Sequence, residues 1–292
     1  MEAKPDKKVK KGKRKNSLIT WLIAIVLLIG LGIMLYPTMC DLYSKWLAQQ
    51  EVKKYEHIVD AGKVDYSELW AAAEKYNRYL IDKPNQLTAT EDEVEYVATL
   101  LNPLGNGMMG YINIPKINVR LPIYQGMEEV ALQAGAGYWI GSSLPTGGKG
   151  THCVITAHTG LVKAKMFTDV DKLVEGDTFT LTILDRTLTY EVDQILVTDP
   201  SELDELLVDP DMDFVTLYTC TPYGVNTHRL LVRGHRVESD VEPSDTVAEP
   251  DVNLLEGDRL WQIIGMAVAI LALIIVNVVI IVYAKRTRNK HR

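Results

Sequence analysis

Cysteine is scarce in this chain: Cys40, Cys153 and Cys220 are the only three in 292 residues. With an odd count at least one thiol stays unpaired, so disulfides are not what holds the fold together. No Cys, His, Asp and Glu set has the spacing of a metal site, and no metal or cofactor is expected. The glycine run Gly135-Ala136-Gly137-Tyr138-Trp139-Ile140-Gly141 lacks the helix cap and phosphate-reading residue of a nucleotide loop. Internal repeats and nucleic-acid motifs are also absent.

Positive charge is dense at the ends of the chain and outnumbered by acids in its body. Residues 1–17 carry eight Lys/Arg against two acids, residues 285–292 carry five Lys/Arg and no acid, and the remaining 18 Lys/Arg face 36 Asp/Glu. An acidic body argues against binding a phosphate backbone. Two runs are free of charge: Leu18 to Tyr36, 19 residues, and Leu260 to Ala284, 25 residues. Each reaches the length of about 20 residues that a helix needs to cross a bilayer. The basic clusters outside them predict a two-pass protein of the cell membrane, with both termini cytoplasmic and the body extracellular. Tyr36-Pro37-Thr38-Met39-Cys40 is a poor cleavage site, so the first run is expected to remain as an anchor.

Between the two runs the hydrophobic period changes once. Leu69, Ala72, Ala73, Tyr76 and Leu80 recur at helical spacing with Ser67 as an expected cap, and Thr90-Glu91-Asp92-Glu93 reads as a capping box opening a second helix. From Gly107 the period is two. Strands are expected at Met109–Pro115, Val119–Tyr124, Thr151–Thr156, Phe179–Leu184, Leu188–Val197, Val215–Cys220 and Arg229–Val237. Short helices are expected at Glu128–Gln133 and Ala164–Leu173, and Asp199 to Asp213 reads as an acidic loop. The fold class is mainly β.

The stretch from Val215 to Gly234 carries the chemistry. A β-branched and aromatic run ends in Cys220, a turn rich in Pro, Gly and Asn follows, and a second apolar run begins just after Arg229. His158 ends another β-like run. Cysteine is the best side-chain nucleophile, and a histidine with an ordinary pKa of about 6.5 can take a proton and return it to a leaving amine. Arg229, always charged, can stabilise an oxyanion or hold a substrate backbone. Cys153 lies five residues before His158 and should face the other way, as a small buried hydrophobe. His228 should alternate away from Arg229, and Arg233 and Arg236 read as surface charges. No Asp or Asn stands beside His158 as an orienter, so a papain-like triad is a poorer fit.

Thr216-Leu217-Tyr218-Thr219-Cys220 resembles the TLxTC signature of sortases, and the following TPYGVNTHRLLVRGHR is similar to their pilin-polymerising class C branch. GYINIPKINVRLPIYQG resembles the opening strands of the sortase barrel, so the likeness covers about Gly107 to Val237. It implies a closed β-barrel of about eight strands with N-terminal helices, flanked by two transmembrane helices. The expected division is 1–17 basic tail, 18–36 anchor, 37–106 helical and lid-like region, 107–238 catalytic barrel, 239–258 polar tether, 259–284 membrane helix and 285–292 basic tail.

The resemblance also implies a reaction on a Gram-positive surface. Cys220 would attack the Thr–Gly bond of an LPxTG-like sorting signal to form a thioacyl enzyme, with His158 and Arg229 assisting. Thr219, Thr159 and Leu217 would contact the substrate. A lysine of another pilin subunit would then resolve the thioester. Attachment of surface proteins to cell-wall precursor is the alternative acceptor chemistry, and a non-catalytic scaffold the alternative class. Many class C sortases cover the thiol with a lid carrying an Asp-Pro-aromatic triplet. Here Leu87-Thr88-Ala89-Thr90 stands in that place, which predicts a shorter or unanchored lid and a cleft open more of the time.

Overall fold

The computed structural model describes residues 12–61, 64–161, 163–238 and 265. Apart from Gly265 the predicted second span lies outside these residues, as do residues 1–11 and 285–292 of the basic tails and the tether, 239–258. Helix α1 (Gly12–Ala61) contains the first apolar run and continues through Pro37. Among the described residues it is the one helix long and apolar enough to cross a membrane. Its large apolar side chains from Leu22 to Met39 are mostly exposed.

Cys40–Asp251 forms a compact unit of its own. Within it, α1 buries Ala48, Val52, Tyr55 and Val59, four positions on one helical stripe. The Tyr55 hydroxyl donates to the Met109 carbonyl at 2.7 Å and accepts the Leu184 amide at 2.8 Å. Helix α2 (Ser67–Ile81) buries Trp70, Ala73, Tyr76, Asn77 and Leu80. Its Asn77 is fully paired, to the Leu144 backbone on both sides and to the Thr146 hydroxyl. Helix α3 (Glu91–Ala98) opens with the predicted capping box between Thr90 and Glu93. Ser67 is not a cap: it is the first helical residue, and the Asp65 carboxylate accepts its amide at 2.9 Å.

The strands are β1 (Met108–Ile114), β2 (Val119–Gln125), β3 (Ala136–Tyr138), β4 (Thr151–Thr156), β5 (Thr178–Ile183), β6 (Arg186–Thr198), β7 (Asp213–Thr221) and β8 (His228–Arg236). They close a barrel in the order β1-β2-β3-β4-β7-β8-β6-β5, with β5 returning to β1. The pairs β2–β3 and β4–β7 are parallel and the rest antiparallel. Closure leaves no open sheet edge. A short helix, α4 (Glu129–Ala134), joins β2 to β3.

Alternation divides each strand between two surfaces. On β4, β7 and β8 the residues Cys153, Ile155, Val215, Leu217, Leu230 and Val232 enter the main core. Val154, Tyr218 and Leu231 belong instead to a second cluster on the outer face.

Two segments differ from expectation. The glycine run contains β3, where a Cβ on Gly137 would lie 2.5 Å from the Gly126 carbonyl oxygen; close backbone approach, not flexibility, requires that glycine. Residues 164–173 form turns and one 3-10 turn, Val170–Lys172, rather than a helix. Amides that a helix would use are taken by distant partners: Lys165 donates to the Asp41 carboxylate at 2.9 Å, and Phe167 to the His158 carbonyl at 3.1 Å.

Candidate active site

The outer face of β4, β7 and β8 is a ladder whose rungs are set by register. From the bottom, His152 pairs with Phe214, Val154 with Thr216, and Thr156 with Tyr218. Across the other side Thr216 pairs with Arg233, Tyr218 with Leu231, and Cys220 with Arg229. The β4–β7 pairing ends at Thr156 and Tyr218, and His158 and Cys220 each lie two residues beyond it. Cys220 and Arg229 therefore share the top rung of this surface, and His158 follows the end of the adjoining strand.

Backbone and hydroxyl bonds hold this rung. The Ala157 amide donates to the Tyr218 carbonyl, and the Thr219 hydroxyl donates to the Ala157 carbonyl at 2.7 Å. Thr219 Oγ1 also lies 3.1 Å from the Thr159 hydroxyl, itself 3.2 Å from the Phe167 carbonyl oxygen. Both threonines thus brace the residues that flank His158. Thr219 is only 2% exposed, so it reaches the histidine strand rather than the groove. Leu217 is fully buried inside the barrel, because it is an odd step from Cys220 along β7. Its place is beneath the rung, where it packs and has no access to a ligand.

Arg229 lies half-buried, with its guanidinium donating to the Asn226 and His228 carbonyls at 3.1 and 3.0 Å. These bonds fold it back over the turn that joins β7 to β8. Burial raises the pKa of the Tyr218 phenol, the neighbouring Arg229 draws it back down, and Cys220 adds to the rise. Phenol, guanidinium and thiol are therefore close enough to sense one another. Tyr218 was not singled out from sequence, where it reads only as a strand aromatic. Its ring meets Trp139 edge-on, 5.3 Å between centroids.

Among the described residues His158 Nε2 has no hydrogen-bond partner, and Glu129 Oε2 stands 3.6 Å from it. Glu129 comes from α4, a position that no local pattern marks. Of the three cysteines, Cys220 and Cys40 are partly exposed and Cys153 is buried. Burial pushes the Cys153 thiol far above its ordinary pKa, which suits a core residue. Arg233 is not a free surface charge: it forks onto the Asp193 carboxylate at 3.0 and 3.2 Å and covers the Phe214 ring.

The lower rungs are roofed. Leu87, buried at 8% exposure, packs against Val154, Tyr218 and Leu231 together with Leu206 from the acidic loop. The Leu87 amide donates to the Gly141 carbonyl and its carbonyl accepts the Trp139 indole N–H, both at 3.1 Å. A Cβ on Gly141, whose φ is +107°, would fall 2.8 Å from the Leu87 carbonyl carbon. Lys83 bonds the Thr88 carbonyl and pairs with Glu93. The segment expected to be unanchored is thus anchored, by a leucine and backbone bonds in place of the Asp-Pro-aromatic triplet.

Residues 112–237 match the family model described as "Sortase domain". Sortase C1 from Streptococcus agalactiae is 43% identical to the chain, which covers all of that structure with 65% of its own length and a TM-score of 0.63. Sortase C from Streptococcus pneumoniae is 40% identical, 99% covered by 66% of the chain, with a TM-score of 0.59. More distantly, sortase A of Bacillus anthracis is 26% identical over 216 residues, 74% of this chain and 93% of that protein. A closed eight-stranded barrel, a cysteine beside an arginine at one end of its outer face, and identities of this size over whole domains have one consequence: the chain belongs to the sortase family of cysteine transpeptidases, in its class C branch.

Proposed function

We propose that this sortase is held in the cell membrane and polymerises pilin subunits, using Cys220 as nucleophile, His158 as proton carrier and Arg229 as the oxyanion or backbone ligand. The observation that carries the reading is that Cys220 and Arg229 are direct cross-strand partners, while His158 lies two residues beyond the end of β4, the strand parallel to β7. Cys220 Sγ would attack the threonine carbonyl carbon of an LPxTG-like signal while the thiol proton passes to His158. Collapse of the tetrahedral adduct would break the Thr–Gly bond, with His158 protonating the leaving amine. A lysine ε-amine from a second pilin would attack the thioester, form the isopeptide bond and release the thiol.

Thr219 and Thr159 serve this chemistry by position, bracing the histidine strand against β7. Trp139 is partly exposed on this face and has substrate access, whereas Tyr218 is buried beneath it and Leu217 contributes packing. Class C likeness supports pilin as the substrate class, and a neighbouring structure is titled for its insight into pilin substrate specificity. The apolar exposed stretch of α1 supports an anchor at 18–36. With the second run at 259–284 and basic tails at 1–17 and 285–292, it makes a two-pass topology that places the barrel, 107–238, and the helical region, 37–106, outside the cell. Anchoring enzyme and substrate in one membrane raises their effective concentration.

The test is intact-mass analysis of the full-length protein in detergent with an LPxTG peptide, with and without an amine. An adduct on Cys220 that turns over only with the amine is expected, absent from Cys220→Ala. If a wall-precursor amine resolves the adduct and pilin lysine does not, the acceptor is wrong. If no adduct forms although Cys220 reacts with a thiol reagent, the signal class is wrong.

A further inference from the structure

His152 is a buried titratable group that the chemistry above does not use. It lies on β4 three rungs below His158, a rise of about 20 Å along the strand, so it cannot touch the reacting atoms. Its side chain is only 1% exposed, yet both ring nitrogens are engaged. Nδ1 is 2.9 Å from the Leu207 carbonyl oxygen and Nε2 is 2.7 Å from the Thr216 hydroxyl. A carbonyl only accepts, so Nδ1 carries the proton; Nε2 must then accept from Thr216. One neutral tautomer satisfies both partners. Burial drives its pKa down to about 4, so this tautomer prevails at neutral pH.

The two bonds join different parts of the molecule. Thr216 belongs to the nucleophile strand. Leu207 belongs to the acidic loop, directly after the 3-10 turn Asp204–Leu206. That turn lays Leu206, with no exposed surface, on the outer face against Tyr218, one rung below Cys220. The next loop residue, Val208, donates its amide to Gln86 Oε1 at 2.8 Å. Gln86 precedes Leu87, so the loop also holds the segment that covers the lower rungs. The imidazole thus ties the acidic loop to the barrel, and the loop in turn adds a bond to the Leu87 segment, which Gly141 and Trp139 also hold.

We infer that His152 is a positioning residue of the transpeptidase, which sets the acidic loop and the Leu87 segment over the outer face and so shapes the apolar subsite for the sorting signal upstream of the cleaved bond. This rests on the reading of that face as the substrate groove. Without the imidazole, the Leu207 carbonyl and the Thr216 hydroxyl, the latter 1% exposed, lose their partner and the loop loses its tie.

The test uses full-length protein in detergent as wild type, His152→Leu, His152→Gln and Thr216→Val. Loop amide exchange from Leu206 to Val208, peptide acylation of Cys220 and reaction of Cys220 with a small thiol reagent are each measured. Removing a buried bonded pair corresponds to about fivefold or more in an equilibrium, so His152→Leu should raise loop exchange and KM by about that factor. Its kcat and thiol reaction should stay within about twofold of wild type, and His152→Gln, which keeps a donor and an acceptor, should restore most of the loss. Thr216→Val, which removes one partner only, should move exchange and KM the same way by a smaller factor; it decides the matter if His152→Leu does not fold. Unchanged loop exchange in the variants overturns the inference, as does a parallel fall of kcat and thiol reactivity. If wild type accepts no peptide, the functional reading fails while the exchange measurement still judges the latch.

Discussion

The two ends of the outer face are built on opposite principles. At the top, Cys220 and Arg229 lie half-exposed, and His158 has a ring nitrogen with no hydrogen-bond partner among the described residues. At the bottom, His152, Thr216, Val154 and Leu206 are buried, and both nitrogens of the lower histidine are bonded. His152 lies on β4 and His158 two residues beyond its end, so their place in the chain alone does not explain the difference. What differs is hydrogen bonding. The acidic loop and the Leu87 segment reach the lower rungs, and Leu207 bonds His152. His158 Nε2 is buried as well yet has no partner among the described residues, and an unmade bond at a buried polar atom is costly.

The contrast can be broken from either end. The largest effect is expected from Cys220→Ala, which should abolish thioacyl formation, a loss of more than about 5 kcal/mol in barrier terms, while the thermal midpoint stays near wild type. An adduct on any other residue, seen by peptide mapping, would move the nucleophile. Arg229→Ala should follow at about 3–4 kcal/mol of transition-state stabilisation, read as kcat/KM for acylation. Retention of full rate would leave the arginine only its turn-holding bonds to Asn226 and His228.

At the lower end the signature is pH. His152 has its folded pKa lowered to about 4 from an ordinary 6.5, with burial as the first cause, Arg233 adding to it, and the Leu207 bond, Asp193 and Glu205 opposing. Between those values the unfolded chain binds a proton that the folded chain does not, so stability is fully present above about pH 6.5 and falls as pH drops toward 4. The loss should approach about 3 kcal/mol, measured by urea unfolding at stepped pH. His152→Gln should flatten that window; an equal slope in the variant would assign it to carboxylates instead.

Smaller effects sharpen the boundary between the two ends. Thr219→Val keeps shape and removes the hydroxyl that bonds Ala157, and should lower kcat by about tenfold, 1–2 kcal/mol, with little change in KM. Leu87→Ala should thin the roof and raise kcat/KM for peptide by a fewfold, about 0.5–1 kcal/mol, with a lower thermal midpoint. A fall in kcat/KM would instead make Leu87 part of the subsite.

Much of this was legible in the chain because the signals are local. Cys220, His158 and Arg229 sit at the ends of period-two runs, and the Thr90–Glu93 capping box needs only four residues to declare itself. Strand ends moved by one or two residues, since pairing partners and not propensity end a ladder. The misses have one physical character: each depends on a distant partner. Residues 164–173 are not helical because Asp41 and the His158 carbonyl take their amides. Arg233 is not a surface charge because Asp193, forty positions away, holds it. Glu129 and Tyr218 carry no local mark, and Leu217, expected at the substrate, is sent inward by alternation.

The sequence by itself determined that a thiol, an imidazole and a guanidinium stand at strand ends, and that an apolar helix precedes an acidic mainly-β body. Periodicity and residue chemistry suffice for that, because they act over a few residues. Only the tertiary structure decided that β4 runs parallel beside β7, that His152 bonds Thr216 and the acidic loop, and that a leucine segment without the expected triplet is anchored over the lower groove. Those outcomes follow from closing the barrel, which fixes register between strands far apart in the chain and brings loops of unrelated sequence onto the same face.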